Sequence, residues 1–342
     1  MIKPILKVLG KTVISGTIAF VFLTLLCYFY NNNPVSCENK DGSTDYKFEG
    51  NQIYFHGTEG FGRGKTNNDG FMNMFDYDDD MEIDVLIIGS SHMQALQVDM
   101  SQSAASKLNA LMENETVYNI GVPSHLFLRC ASNFRAAINK YHPTNYIVIE
   151  TSSVSFSDEE LALAISEEIP ELPAVYIGRL EKIVDLIRRN PYLSLLKEQI
   201  EEYVAIMQAK DAEEAKNSED FAEPDTITNE NLLDDLLHKM SVLAEECGAK
   251  VIIAYHPDIY IDSDGTMNIN ADQNAIARFE RLCDENGILF LDMSDRFKEE
   301  YESTYTLPYG FSNTPVGAGH MNKYGHAMMA DELYNLILEE EQ

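Results

Sequence analysis

From Val85 onward, short apolar runs alternate with helix-length amphipathic stretches, and that alternation leaves few folds open. The runs are Val85–Ile88, Val117–Ile120, Tyr146–Glu150, Val251–Tyr255 and Ile288–Leu291. Each has the length of a strand and the near-continuous apolar character of one buried on both faces. Helical patterns lie between and after them, near 98–113, 125–140, 230–246, 272–286 and 323–339. Alternation of this kind builds a parallel sheet with helices on both faces. The expected fold is α/β, a three-layer α/β/α sandwich around a mainly parallel, flavodoxin-like, five-stranded sheet.

Residues 51–342 are expected to form that domain, with Asn51–Phe55 as a short extra strand. Residues 155–235 interrupt the alternation and read as a helical insertion. Its part Ala209–Asn229 is acidic and polar, the composition of a solvated segment. The insertion is expected to cover the site, to meet a membrane-protein partner, or to be a plain surface excursion.

The N-terminus has a different character. Val13–Tyr30 carries no charge, and the next charged residue is Glu38. A helix crossing the hydrocarbon core needs about 20 residues, which this run supplies. Lys3, Lys7 and Lys11 precede it, so the positive-inside rule puts the N-terminus in the cytoplasm and the main domain outside. Residues 1–31 are therefore expected to be a cytoplasmic tip and transmembrane anchor, and the polar residues 32–50 a stalk. The alternative is a cleaved signal peptide, but no small-x-small site follows the apolar run.

Charge excludes one class of partner. Three of the 25 basic residues fall in the first 30 positions and none of the 56 acidic ones does; the whole chain carries a formal net charge of -31. Nucleic acid is not an expected partner, because binding it requires Lys and Arg to neutralise phosphates. The five cysteines form no CxxC pair, and one lies in the apolar run, so a disulfide scaffold is not expected. The eight histidines show no HxH or HExxH spacing, and neither a metal nor another cofactor is expected.

Ligands of open α/β sheets bind at the carboxyl ends of the strands. Gly89-Ser90-Ser91-His92 follows the first run, Asn119-Ile120-Gly121 the second, and Glu150-Thr151-Ser152-Ser153 the third. Gly319-His320-Met321-Asn322 comes just before the last helix. A serine on a strand-to-helix turn, a nearby glycine amide and a late histidine together suit acyl transfer.

These blocks, in this order, resemble the SGNH or GDSL-like hydrolase superfamily over roughly residues 65–339. VLIIGSSH resembles the first block, with Ser91 at the nucleophile position and Ser90 in place of Asp. YNIG places Gly121 where the family has an oxyanion-hole glycine. GHMNKYGH resembles the last block, with His320 as base, and Asn67–Phe71 resembles the segment before the first strand in membrane-anchored relatives. The resemblance implies a Ser91–His320 pair, with the Ser91 and Gly121 amides holding an oxyanion. Two positions depart from the pattern. Gly317 stands where the family has the triad Asp, and Glu302 is the only acid between Tyr301 and His320. A backbone carbonyl near Gly317 is then expected to orient His320, giving a dyad. The third-block Asn is also missing, its place falling near Val154, so Ser152 or Ser153 is expected to donate instead.

Other patterns carry less. Gly57–Thr66 (GTEGFGRGKT) imitates a phosphate loop, but the spacing of GxxxxGK[ST] fails by one place. Asp76, Asp78 and Asp80 imitate a calcium loop without its central Gly or final Glu. Asp262–Gly265 reads as the turn of a small hairpin. His92 lies beside Ser91 and His256 follows a strand, each either lining the pocket or serving locally.

Two functions fit. The first is a membrane-anchored, outward-facing esterase or O-acyltransferase acting on acyl esters, such as O-acetyl groups, of envelope or secreted glycans, with an acylated glycan or small ester as substrate. The second, motivated by the two departures and by the long acidic insertion, is an inactive binding or scaffold subunit of an envelope assembly.

Overall fold

A computed structural model describes residues 2–38, 44–123, 126–166, 190–197, 199–200 and 229–341. At its centre is a parallel sheet of β5 (Val85–Ile88), β6 (Val117–Asn119), β7 (Tyr146–Thr151), β8 (Lys250–Tyr255) and β11 (Leu289–Asp292), in the spatial order β11-β8-β7-β5-β6. Read from the β6 edge and counted within this sheet, the order is 2-1-3-4-5, the flavodoxin-like arrangement. β5, β7 and residues 251–255 of β8 are buried throughout, which accounts for their unbroken apolar sequence.

The helices complete three layers. One face carries α4 (Phe127–Ser132), α5 (Phe134–Tyr141), α7 (Glu230–Cys247) and α8 (Gln273–Glu285), packed through Phe127, Phe134, Leu237 and Phe279. The other carries α3 (Ala104–Leu111), α9 (Ser294–Thr304) and α10 (Lys323–Glu340), packed through Leu108, Phe297, Met329 and Leu333. Truncating one of these fully buried apolar side chains costs about 2–5 kcal/mol. The stretch expected as one helix near 125–140 is two, separated at Asn133. The turn at Asp262–Gly265 does close a hairpin, β9 (Asp258–Ile261) with β10 (Met267–Asn270).

The N-terminal helix α1 (Ile2–Tyr30) contains an apolar stretch, Lys7–Tyr30, long enough to cross a membrane, with a mean hydropathy of 2.0. Of residues 32–50, expected as a stalk, 39–43 lie outside the described residues, and several of the others hydrogen-bond to residues 52–70 of the main domain. Asn31 is buried, Asn32 pairs with Phe55, and β1 (Ser36–Glu38) pairs with β2 (Thr44–Phe48). Asn32 Nδ2 donates to the Ile53 carbonyl in the hairpin of β3 (Ile53–His56) and β4 (Gly62–Lys65), and the Val35 backbone exchanges two hydrogen bonds with the Gln52 side chain just before it. Of the insertion expected at 155–235, the described parts are 155–166, including α6 (Asp158–Ser166), helical residues 191–197, and 229–235; residues 167–189, 198 and 201–228 lie outside the described residues.

Candidate active site

β5 ends at Ile88, and the chain turns through Gly89 and Ser90 into a single helical turn, α2 (Ser91–Gln94). Ser90 caps that turn, its Oγ accepting the His92 amide at 3.2 Å. Capping by Ser90 leaves Ser91 Oγ free to face outward, 2.9 Å from His320 Nε2. His320 comes from the loop before α10. Asn322 fixes that loop: its Oδ1 accepts the Tyr324 and Gly325 amides, and its Nδ2 donates to the Leu307 and Gly310 carbonyls. Ser91 and His320 therefore meet as the sequence expects, though 229 residues apart.

The group behind His320 corrects the expected dyad. It is a carboxylate, Glu59, on the loop between β3 and β4. Glu59 Oε2 lies 2.6 Å from His320 Nδ1, and Glu59 Oε1 accepts the His320 backbone amide at 2.6 Å. One carboxylate thus fixes both the ring and the main chain of the base. With Nδ1–H directed at Glu59, Nε2 presents its lone pair to Ser91. The GTEGFGRGKT run, which imitates a phosphate loop, is the hairpin tip that carries this acid. Gly317, at the family's Asp position, is a positive-φ turn residue (φ 72°).

Two features hold the acid in place. Asn313 grips the tip from the C-terminal loop, its Oδ1 accepting the Gly60 amide at 2.8 Å and its Nδ2 reaching the Gly57, Thr58 and Gly60 carbonyls. Gly319 has φ 94°, and a Cβ there would overlap Glu59 Oε1. Gly319→Ala should therefore displace the Glu59 carboxylate and strain the backbone. The expected result is a fall in kcat of about 10²-fold, the scale of a small misplacement, with a smaller change in KM, read by steady-state kinetics.

Burial opposes ionisation of Glu59, but hydrogen bonds from the His320 ring and amide, and the nearby His320 and His56, outweigh it and lower its pKa. Glu59 stays an anion that can stabilise an imidazolium on His320.

A second acid and histidine sit beneath the turn. Glu150, at the end of β7 and fully buried, accepts the Ser90 amide at 2.6 Å and hydrogen-bonds His256 Nε2. His256 Nδ1 lies 2.7 Å from Tyr309 Oη. Burial pushes the Glu150 pKa up, but His256, His92 and the Ser90 amide overcome it, leaving a value of about 2. The His92 ring is tilted against both His256 and His320, with centroids 4.6 Å and 5.0 Å away. Its Nδ1 accepts the Met321 amide at 3.2 Å, which fixes the Nε2–H tautomer of the neutral ring. Burial and the neighbouring His256 lower its pKa well below the usual histidine range.

The other expected residues are placed less simply. Gly121 packs against α2, and its amide donates to Asn119 Oδ1 at 2.9 Å, so in this conformation it is engaged. Ser152 follows β7, half-buried, with no hydrogen bond to Ser91 or His320 among the described residues. Among those residues no group of three His, Cys, Asp or Glu side chains is placed to hold a metal.

These buried groups set an acid limit on stability. Burial lowers His326 to about 3 and His56 to about 4, against 6.5 for a free histidine. Below pH 6.5 the unfolded chain takes up protons that the folded one refuses, so stability falls with pH down to the folded values. Glu150 acts in the same direction. Its contribution is full above 4.5, its ordinary value, and is lost as pH falls toward about 2. The urea midpoint should be highest near neutrality, lower at pH 5.5 and lower again at pH 4.

Fold and site together give a flavodoxin-like α/β/α sandwich with Ser91, His320 and Glu59 hydrogen-bonded in series at the carboxyl end of its sheet; the sheet order and the Ser91–His320 pair fit the SGNH resemblance, while the acid comes from a different place in the chain. No family profile matches the sequence, and no curated protein does. Among solved structures, the chain is similar to a lipolytic protein of the G-D-S-L family from Veillonella parvula (14% identity, 74% of this chain and 96% of that one, TM-score 0.39). It is also similar to the esterase EstA from a Pseudoalteromonas species (12%, 75% and 97%, TM-score 0.37) and to an acetyl xylan esterase (10%, 74% and 98%, TM-score 0.40).

Proposed function

We propose that the protein is a serine esterase of the SGNH type, anchored by α1 with its domain outside the cell, that cleaves or transfers acyl groups such as acetyl. The observation that supports this best is the unbroken chain from Ser91 Oγ through the His320 ring to Glu59, at 2.9 Å and 2.6 Å. Ser91 Oγ attacks the ester carbonyl and its proton passes to His320 Nε2. The bond from carbon to the alcohol oxygen breaks, and His320 returns the proton to the leaving alkoxide. Water, or a sugar hydroxyl in the transferase case, then attacks the acyl-Ser91 ester with His320 again as base. Glu59 stabilises the imidazolium in both halves.

The oxyanion donors are the Ser91 amide in the first turn of α2, with Gly121 and Ser152 as its partners. Gly121 serves once Asn119 releases its amide on substrate binding. Acylated glycans and small esters are the proposed substrates. The scaffold alternative drew on an absent triad acid, an absent third-block Asn and the acidic insertion; Glu59 beside His320 answers the first of these. The test is release of acid from acetylated sugars by the intact protein beside Ser91→Ala; equal rates would reject the proposal.

A further inference from the structure

The loop that supplies Glu59 is built on the end of α1. Asn32 exchanges two backbone hydrogen bonds with Phe55, at 2.7 and 3.1 Å. Asn31 Oδ1 accepts the Gly57 amide at 3.3 Å, and Asn33 Oδ1 lies 2.8 Å from His56 Nδ1. The rings of Tyr28 and Phe29 pack on Phe55, with centroids 5.8 and 5.7 Å apart. Gly57 approaches the Tyr30 carbonyl so closely that a Cβ would overlap it. Glu59 is two residues further on, at most about 7 Å of extended chain. No spacer separates the apolar helix from the triad.

A second segment lies beside the same helix. In the helical stretch 191–197, the Tyr192 ring meets Phe20 with centroids 5.9 Å apart, and just before it Asn190 Nδ2 donates to Thr24 Oγ1 at 3.3 Å. Thr24 and Phe20 lie six and ten residues before Tyr30, about 9 and 15 Å down the helix axis. The headgroup layer on each side of a bilayer is only about 5–7 Å deep. If α1 spans the membrane with Tyr30 at its outer boundary, this stretch sits within the outer leaflet. Its apolar side chains Leu196 and Ile200 are exposed in the isolated chain, with Lys197 and Gln199 exposed between them.

We propose that the active-site end of the domain is seated on the outer leaflet by α1 and the described residues 190–197 and 199–200, and that its substrate is an acyl ester borne by a membrane lipid. This rests on the esterase reading, putting a lipid in place of the glycan as the carrier of the ester, and on α1 spanning the membrane. Ser91 Oγ takes the acyl group, the lipid alcohol leaves with the proton carried by His320, and water releases the acid. An ester held in the bilayer reaches a site at that height by lateral diffusion, without leaving the membrane.

The chain contains no tryptophan, so single introduced tryptophans report their own surroundings. The full-length protein would be placed in vesicles with brominated acyl chains, carrying Phe22→Trp in α1, Leu196→Trp, Phe61→Trp beside the Glu59 loop, or Leu338→Trp. Leu338 marks the far end of the sheet, where Glu340 meets Lys250 at the start of β8. Emission should be quenched at positions 22, 196 and 61 and unchanged at 338. Quenching at 22 alone would overturn the seating while leaving the anchor intact; no quenching at 22 would overturn both. A second arm compares one acyl group on a vesicle lipid and on a soluble sugar, each with Ser91→Ala as control. Release severalfold faster from the lipid supports the proposal. Ser91-dependent release favouring the sugar overturns the lipid substrate but keeps the esterase. No Ser91-dependent release from either rejects the esterase and the substrate together, and the quenching still decides the seating.

Discussion

Glu59→Gln should lower kcat by about 10⁴-fold while leaving the fold intact. Gln is nearly isosteric and keeps an acceptor for the His320 amide. It removes the negative charge and offers a side-chain NH₂ where His320 Nδ1–H needs an acceptor. The ring then either takes the tautomer with its proton on Nε2, facing Ser91 and unable to accept, or loses the bond that orients it. In a serine triad the corresponding Asp→Asn change costs about 10⁴ in kcat with geometry preserved. The effect should fall on kcat, because Glu59 stabilises a charge that appears on His320 only as the reaction proceeds. Steady-state kinetics with circular dichroism would separate this from misfolding. A loss under tenfold would mean that the acid does not act in the reaction.

Ser91→Ala should have the larger effect, on the order of 10⁶ in kcat, because the other hydroxyl on the turn, Ser90 Oγ, is held by the His92 amide as a cap. The fold should survive. Ser91 makes no side-chain hydrogen bond that α2 needs, since the cap is Ser90 and the buried tie beneath the turn runs from the Ser90 amide to Glu150. Adding His320→Ala to Ser91→Ala should cost little more, since the two act as one unit. Ester release measured on the single and double variants, with thermal unfolding as a control, checks both statements. Additive losses would contradict a shared step.

The sheet and the meeting of Ser91 with His320 could be read from the sequence for one physical reason. A parallel strand buried on both faces writes a continuous apolar run, and such a sheet puts its chemistry at the ends of those runs. Ser91 and His320 each stand where an element begins, next to residues that cap it. α9 was not legible because SDRFKEEYEST is mostly polar and buries little beyond Ser294 and Phe297.

Glu59 was hidden for another reason. It lies outside the alternating region, on an antiparallel hairpin tip, and meets His320 across 261 positions of sequence. Its glycine-rich surroundings point to a loop and not to an acid's role. The one local sign was a lone carboxylate in that run, and only the tertiary fold pairs it with a base. The start of the expected stalk is less open than its composition suggests: the Asn32 and Asn33 side chains, like Asn31 before them, bond to the hairpin that carries Glu59. Glu150 was seen only as the end of a strand, and its place under the nucleophile turn emerges from the order β7-β5 in the sheet.

The central claim is that Ser91 is a nucleophile activated by His320 and Glu59. It is tested most directly by treating the folded, full-length protein with a fluorophosphonate probe and locating the adduct by peptide mass spectrometry. The account expects one adduct, on Ser91, formed far more slowly in Glu59→Gln and absent in Ser91→Ala. Folded protein that stays unlabelled at Ser91, or that labels equally fast without the Glu59 carboxylate, would contradict it.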